Sequence, residues 1–169
     1  FMELSRSMAN FVCGTTAVAL VLANGKIFTG NVGDSRAVLC RQGQAIPITV
    51  DHTPRVPEEV QRLRALNGFV TGGRVNGILA VSRTLGDKYL HPFVNAEPYI
   101  SELEIEPEDE FIILGCDGVW DTCTNQKAVD LVRKEKHPII ASMKLRDHAY
   151  LSGSSDNISV VVVRLEPYR

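Results

Sequence analysis

The sequence predicts an α+β fold in which antiparallel sheets and helices form separate layers. Short apolar segments are joined by two-residue turns, at residues 24–25 and 42–43, which favours antiparallel hairpins. The predicted helices are grouped between sets of strands and do not alternate with them, which argues against a doubly wound parallel sheet. At 169 residues the chain has the length of one domain with a sizeable core.

The first half of the chain predicts a strand meander followed by a helix. Residues 15–22 are rich in β-branched and apolar side chains, and residues 26–32 and 35–41 are expected to continue as partner strands. Pro57 suits the first turn of a helix that ends near Asn67, where Asn-Gly predicts a left-handed cap. Its apolar face is expected at Val60, Leu63 and Leu66.

The remaining elements follow from the same patterns. Further strands are predicted at residues 78–81, 99–105, 111–114 and 158–165. Further helices are predicted at residues 1–10, 125–134 and 139–151. An acidic turn is expected at residues 106–110.

Composition excludes several classes of function. A net charge of −2 provides no basic stripe for nucleic acid, and the apolar segments are too short to span a membrane. The four cysteines lack zinc-ligand spacing and predict reduced, buried thiols, which favours a cytoplasmic or nuclear protein; they are Cys13, Cys40, Cys116 and Cys123. Since the chain begins with Phe1, we expect it to be a piece of a longer polypeptide.

Three apolar segments each end on, or begin from, an aspartate: Asp34, Asp117 and Asp156. An ionised carboxylate at the end of a buried strand is costly to desolvate unless a cation meets it, so three of them indicate one shared cation site. Taken singly, Asp34 is equally typical of a turn, and Asp156 is more typical of an Asx turn.

The segment around Asp117 is more specific. Gly118 follows it directly, and a residue without a side chain allows another group to approach closely. Asp121 lies four residues later, on the same face if the segment is helical. Oxygen ligands alone favour Mg²⁺ or Mn²⁺ over Zn²⁺; Ca²⁺ remains an alternative, although the sequence has no twelve-residue calcium loop.

Two arginines lie close in sequence to acids. Arg36 follows Asp34 and Arg83 precedes Asp87, so each is expected to hold a carboxylate in a supporting role. His52 is expected to be a structural loop residue. The sequence has no nucleophile elbow and no cysteine beside an activating base, which disfavours covalent catalysis.

Taken together, these segments resemble the metal-dependent Ser/Thr protein phosphatases of the protein phosphatase 2C type. The matching segments stand in the family's order, at residues 13–17, 32–37, 51–54, 74–83, 85–87, 97–98, 116–121 and 153–160. Eight segments in order are specific evidence, and the match extends over nearly all of residues 13–165.

The resemblance implies a sandwich of two antiparallel sheets flanked by helices, with two or three Mn²⁺ or Mg²⁺ ions at one end. It implies Asp117 and Asp156 as ligands of the catalytic pair, with Asn157 beside them, and Asp34 and Asp121 at an additional ion. The implied reaction is hydrolysis of phosphoserine and phosphothreonine in signalling proteins by a metal-activated water, without a phosphoenzyme.

One departure from the family pattern is decisive for activity. The amino-terminal third of the family domain has no counterpart here, including a phosphate-binding Arg, a metal-associated Glu and an Asp-Gly-His-Gly-Gly stretch. Residues 1–169 are therefore expected to form a partial catalytic domain whose set of catalytic residues is incomplete and which alone is inactive.

Two other interpretations remain open. The chain could belong to a non-catalytic pseudophosphatase that regulates or binds partners, or it could carry a purely structural metal site. The retention of Asp34, Asp117, Asp121 and Asp156 favours the enzyme, because a binding module has no need to keep repelling acids together. The expected partners are phosphorylated proteins, without nucleic acid or membrane, and a monomer is expected.

Overall fold

The computed structural model describes residues 13–165, which form two main antiparallel sheets, two two-stranded sheets and four helices. The strands are β1 (Gly14–Thr15), β2 (Ala17–Ala23), β3 (Lys26–Val32), β4 (Arg36–Arg41), β5 (Gln44–Pro47), β6 (Val70–Thr71), β7 (Arg74–Val75), β8 (Leu85–Gly86), β9 (Tyr99–Glu104), β10 (Asp109–Gly115) and β11 (Val160–Arg164). The helices are α1 (Pro57–Ala65), α2 (Asp117–Trp120), α3 (Asn125–Arg133) and α4 (Pro138–Leu151), with a 3₁₀ turn at Lys88–Leu90.

The two main sheets have the strand orders β11-β10-β4-β5 and β2-β3-β9. β2 and β3 pair from Ala17 with Val32 to Ala23 with Lys26, and the remaining Asn24-Gly25 turn has φ angles of 51° and 73°. Gln42 and Gly43 make the equivalent turn between β4 and β5, with φ angles of 51° and 77°. Both predicted hairpin turns are confirmed, and so is the α+β class.

Two of the three buried clusters in the described residues form layers on the two faces of the four-stranded sheet. Ile27 of β3 packs with Leu39 and Ile112 between the two sheets, and all three are fully buried. On the other face, Phe111 and its neighbours pack against α3 and α4, where Val129, Leu145 and other apolar side chains are buried. Each such side chain contributes about 1.5 to 3 kcal/mol relative to exposure, so this sandwich fixes the strand ends that carry the site.

Helix α1 ends as its sequence predicts. Asn67 has a φ of 62°, and its N–H donates to the carbonyl of Arg64 at 2.9 Å, while the N–H of Gly68 donates to that of Leu63 at 2.9 Å. This pair of bonds is a Schellman cap. Leu63 is buried, but Leu66 is 37% exposed because it occupies the cap, so the predicted apolar face is wrong at that residue.

One further sequence prediction needs correction, and another lies outside the described residues. Residues 78–81 do not form a buried strand: Asn76 and Gly77 adopt positive φ angles and turn the chain, which leaves Ile78 exposed. Only Leu79 in this segment makes a bridge, to Val75. The predicted helix over residues 1–10 lies outside the described residues.

All four cysteines are free, but not all are buried. Cys40 and Cys123 are buried as predicted and Cys116 is partly buried, whereas Cys13 is exposed. The prediction fails at Cys13 because, among residues 13–165, the adjoining strand β1 pairs only with the two-residue strand β8. Within residues 13–165, no helix has both the length and the apolar character that a membrane span requires.

Glu59 joins α1 to the loop before β8 through a buried ion-pair network. Its Oε1 accepts hydrogen bonds from Arg83 Nε at 3.1 Å and Nη2 at 2.6 Å. Its Oε2 accepts from Ser82 Oγ at 2.6 Å and from Arg62 Nη2 at 2.9 Å. Arg83 therefore holds a carboxylate as predicted, but the carboxylate is that of Glu59 and not of Asp87.

Burial opposes ionisation of Glu59, but the hydrogen bonds from Arg83, Arg62 and Ser82 outweigh it and lower the pKa of Glu59 from 4.5 to about 2. A carboxyl group whose pKa is lowered on folding contributes its full stability above its unfolded pKa. The contribution of Glu59 is thus complete above about pH 4.5 and is lost as the pH falls toward about 2.

We predict that Glu59→Gln lowers the free energy of unfolding by about 2 to 3 kcal/mol at pH 7, because it leaves two partly buried guanidinium groups without their anion. The deficit shrinks at pH 3, where wild type begins to lose the same ion pairs. Urea unfolding at the two pH values measures both. Glu58→Gln, an exposed neighbour, is the matched control and changes stability by less than about 0.5 kcal/mol. An equal deficit for Glu59→Gln at both pH values contradicts the network.

Candidate metal centre

A cleft of about 440 Å³ lies where β3 and β10 end. Its lining combines acids, two arginines and a tryptophan: Asp34, Arg36, Asp51, Thr53, Arg55, Ala80, Asp117, Trp120 and Asp121. Three of the four predicted metal ligands, Asp34, Asp117 and Asp121, therefore line one cleft. The fourth, Asp156, lies on an exposed loop and influences Asp117 electrostatically.

Asp34 is positioned by the backbone of Gly33. Gly33 has a φ of 98°, and a side chain there would lie 2.3 Å from the methyl group of Thr16, so only glycine fits. His52 holds this backbone through two hydrogen bonds. Its Nδ1 accepts the backbone N–H of Gly33 at 3.1 Å, and its backbone N–H donates to the Gly33 carbonyl at 2.9 Å. Burial, aided by the charge of Arg83, lowers the pKa of His52 and keeps Nδ1 an acceptor. The interpretation of His52 as a structural loop residue agrees with these contacts.

Asp117 is the first residue of α2, and Asp121 follows one turn later, with its N–H donating to the Asp117 carbonyl at 2.8 Å. The Asp117 Oδ1 accepts the N–H of Gly118 at 2.8 Å. A side chain at Gly118 would lie 2.3 Å from the carbonyl oxygen of Asn157, so the loop that carries Asp156 approaches where only glycine allows it. The close approach predicted at Gly118 is confirmed.

Burial and neighbouring negative charges raise the pKa values of Asp34 and Asp117. Burial, followed by the negative charge of Asp117, raises the pKa of Asp34 to about 6. Burial, together with the charges of Asp156 and Asp121, raises the pKa of Asp117. The charges of Asp117 and Asp121 thus act on Asp34, and those of Asp156 and Asp121 act on Asp117, which makes the cleft favourable for a cation.

The donor set suits a hard divalent ion, because every candidate ligand is a carboxylate oxygen. Asp34, Asp117 and Asp121 are the residues that could hold it from the cleft. Within residues 13–165, however, no group of three or more His, Cys, Asp or Glu side chains is arranged closely enough to hold a metal ion. The described acids thus form one negatively charged rim and not a preformed coordination shell.

Arg36 supports a different acid from the one expected. Its Nε and Nη2 donate to the two carboxylate oxygens of Asp51 at 2.9 and 2.5 Å, and its Nη1 donates to Asn125 Oδ1 at 2.7 Å. Its guanidinium carbon lies 5.3 Å from the ring centroid of Trp120. Arg36 therefore holds a carboxylate as predicted, but the carboxylate is that of Asp51 and not of its sequence neighbour Asp34.

Of the remaining residues predicted to support the site, Asn157 lies against it and Asp87 does not. Asn157 acts through its backbone carbonyl, which lies against Gly118 and accepts a hydrogen bond from the Cys116 thiol at 3.1 Å. Asp87 does not line the cleft; it is buried, has a φ of 43°, and packs against Gly14.

Sequence reasoning missed three residues that matter here. Asp51 holds Arg36, Glu59 holds Arg83, and Arg55 lines the cleft. Glu59 resembled an ordinary first-turn acid of a helix, and nothing local marks it as buried. The charged run Asp51 to Arg55, placed directly before a helix start, was the available signal for the other two.

The family model and the curated relatives that match this chain belong to one family. The model of the protein phosphatase 2C family matches residues 2–158. "Probable protein phosphatase 2C 45" of Oryza sativa subsp. japonica is 48% identical over 155 residues, covering 90% of this chain and 55% of that protein. "Protein phosphatase 2C homolog 1" of Schizosaccharomyces pombe is 39% identical over 170 residues, covering 96% of this chain and 49% of that protein. The chain thus spans about half the length of the curated relatives it matches.

Solved structures share the fold. A serine-threonine phosphatase 2C from Toxoplasma gondii superposes with a TM-score of 0.80 at 22% identity, covering 96% of this chain and 62% of that one. A C. elegans sex determining protein superposes with a TM-score of 0.83 at 31% identity, covering 91% and 41%. The architecture and the sequence match, taken together, place this chain in the protein phosphatase 2C family.

Proposed function

We propose that this chain is part of the catalytic domain of a metal-dependent phosphatase that hydrolyses phosphoserine and phosphothreonine in proteins. The observation that carries the proposal is the convergence of Asp34, Asp117 and Asp121 on one cleft in a chain of the protein phosphatase 2C family. Phosphorylated proteins are the proposed substrates, and Mn²⁺ or Mg²⁺ the proposed ions.

Asp34, Asp117 and Asp121 would hold the ions together with Asp156 from the neighbouring loop. When bound, divalent ions in such a centre lower the pKa of water and neutralise phosphate charge. The chain's own residues provide the setting: Gly118 admits the loop of Asp156, and the Gly33 turn presents Asp34. Arg36 keeps Asp51 neutralised by a bidentate pair, which limits the negative charge that the ions must offset.

We further propose that residues 1–169 alone do not complete the centre. In support, no three acidic, histidine or cysteine side chains of the described part of the chain lie close enough to hold an ion. A centre able to activate water needs further oxygen ligands, because uncompensated carboxylates repel one another. The alternative, a non-catalytic regulatory module, gives no reason for a partly buried acid such as Asp34 to carry a pKa raised to about 6.

A phosphatase assay tests the proposed function. We predict that the 169-residue chain with Mn²⁺ shows no turnover of a phosphothreonine peptide, whereas the protein extended to the length of its relatives hydrolyses it. Asp117→Asn in the longer protein lowers kcat/KM by at least about 100-fold, because it removes an ion ligand. Asp147→Asn, an exposed acid on α4, is the control and leaves kcat/KM unchanged. Robust turnover by the 169-residue chain refutes the incomplete centre, and an inactive longer protein refutes the enzyme.

Asp34→Asn gives a second test, because its effect on the free energy of unfolding is expected to change sign when Mn²⁺ is bound. The pKa of Asp34 rises from 3.8 to about 6 on folding, so its ionised form reduces stability as the pH rises through this interval, and the cost is complete above about pH 6. At pH 7 without metal, Asp34→Asn therefore raises the free energy of unfolding by about 1 kcal/mol, after allowance for solvent screening.

With Mn²⁺ bound, wild type is expected to be more stable than Asp34→Asn. In the longer protein, an ion concentration of ten times Kd adds about 1.4 kcal/mol to wild-type stability, and Asp34→Asn gains less because it has lost a ligand. Thermal unfolding with and without Mn²⁺ measures the reversal, with Asp147→Asn as the control. An Asp34→Asn variant that is less stable than wild type without metal contradicts the account.

A further inference from the structure

Arg55 occupies a fixed position at the mouth of the acidic cleft. It lies in the turn closed by the N–H of Val56 and the carbonyl of Thr53 at 3.1 Å, directly before α1 begins at Pro57. The residue is exposed and lines the same cleft as Asp34 and the other acids. Its backbone is thus held in place while its side chain faces both the cleft and solvent.

Arg55 is also an available cation. Arg36, the other arginine of the cleft, is committed to Asp51 and Asn125. Arg55 has no hydrogen-bond or ion-pair partner among residues 13–165. The hairpin tip at Gly73 passes nearby, where an added Cβ would lie 3.8 Å from Arg55 Nε, so the missing side chain leaves that flank of the guanidinium open.

We propose that Arg55 binds the carboxylate of an acidic residue next to the phosphorylated residue of the substrate, an inference that rests on the proposed phosphatase function. The phosphoryl group is drawn toward the partly buried Asp34 and Asp117, where the ions would lie, and Arg55 lies outside them at the exposed mouth. A free guanidinium presents two parallel donors that match a carboxylate. It also offsets the repulsion that this acid-lined cleft exerts on an acidic peptide.

The test compares two phosphothreonine peptides that differ only in whether the flanking residue is Glu or Ala. In the complete protein with Mn²⁺, kcat/KM and the affinity of non-hydrolysable phosphonate analogues are measured for both. Wild type prefers the Glu peptide by about three- to fivefold, the range of an exposed ion pair. Arg55→Ala abolishes this preference, and Arg55→Glu inverts it.

Arg64→Ala is the matched control, because Arg64 is an exposed arginine of α1 that does not line the cleft. It keeps the wild-type preference. Equal loss of affinity for both peptides in Arg55→Ala overturns the proposal and assigns Arg55 to the phosphoryl group. Absence of a preference in wild type also overturns it. Hydrolysis of p-nitrophenyl phosphate distinguishes failure of the proposed function from failure of the role proposed for Arg55. A wild-type protein that does not hydrolyse this compound refutes the proposed function. Hydrolysis without a preference between the peptides refutes only the role of Arg55.

Discussion

Repulsion among carboxylates at the strand ends is the constraint on which the site depends. Asp34 and Asp117 follow the ends of strands that the double-layered core fixes, so neither can withdraw without disturbing buried packing. Burial and the charge of Asp117 raise the pKa of Asp34 to about 6. The fold therefore holds a destabilising arrangement that a divalent cation would relieve, which is the physical basis for proposing that the cleft binds metal.

Two glycines determine how closely the acids gather. Gly33 lets the turn of Asp34 pack on Thr16, and Gly118 lets the carbonyl of Asn157 reach α2. In both places a single added carbon would meet another atom at 2.3 Å. The geometry of the rim thus depends on backbone contacts that any side chain would prevent.

The fold class and the positions of the acids could be predicted because their signals are local. Asp117 ends an apolar strand and begins a helical turn within one short segment. The partners of the arginines could not be predicted in this way. Arg36 pairs with Asp51, fifteen residues away, and Arg83 pairs with Glu59, so sequence neighbours misled in both cases. The error at residues 78–81 has a different cause, since an apolar run does not show that the turn before it has changed the direction of the chain.

The central claim is that the acidic rim binds one group of divalent ions. Amide resonances of the ¹⁵N-labelled chain, recorded during titration with substoichiometric Mn²⁺, test it most directly, because the paramagnetic ion broadens only nearby nuclei. We predict that residues around Asp34, Asp117, Asp121 and Asp156 broaden together at the lowest Mn²⁺ concentrations. Broadening that begins elsewhere, or that affects Asp117 without Asp34, would contradict the account.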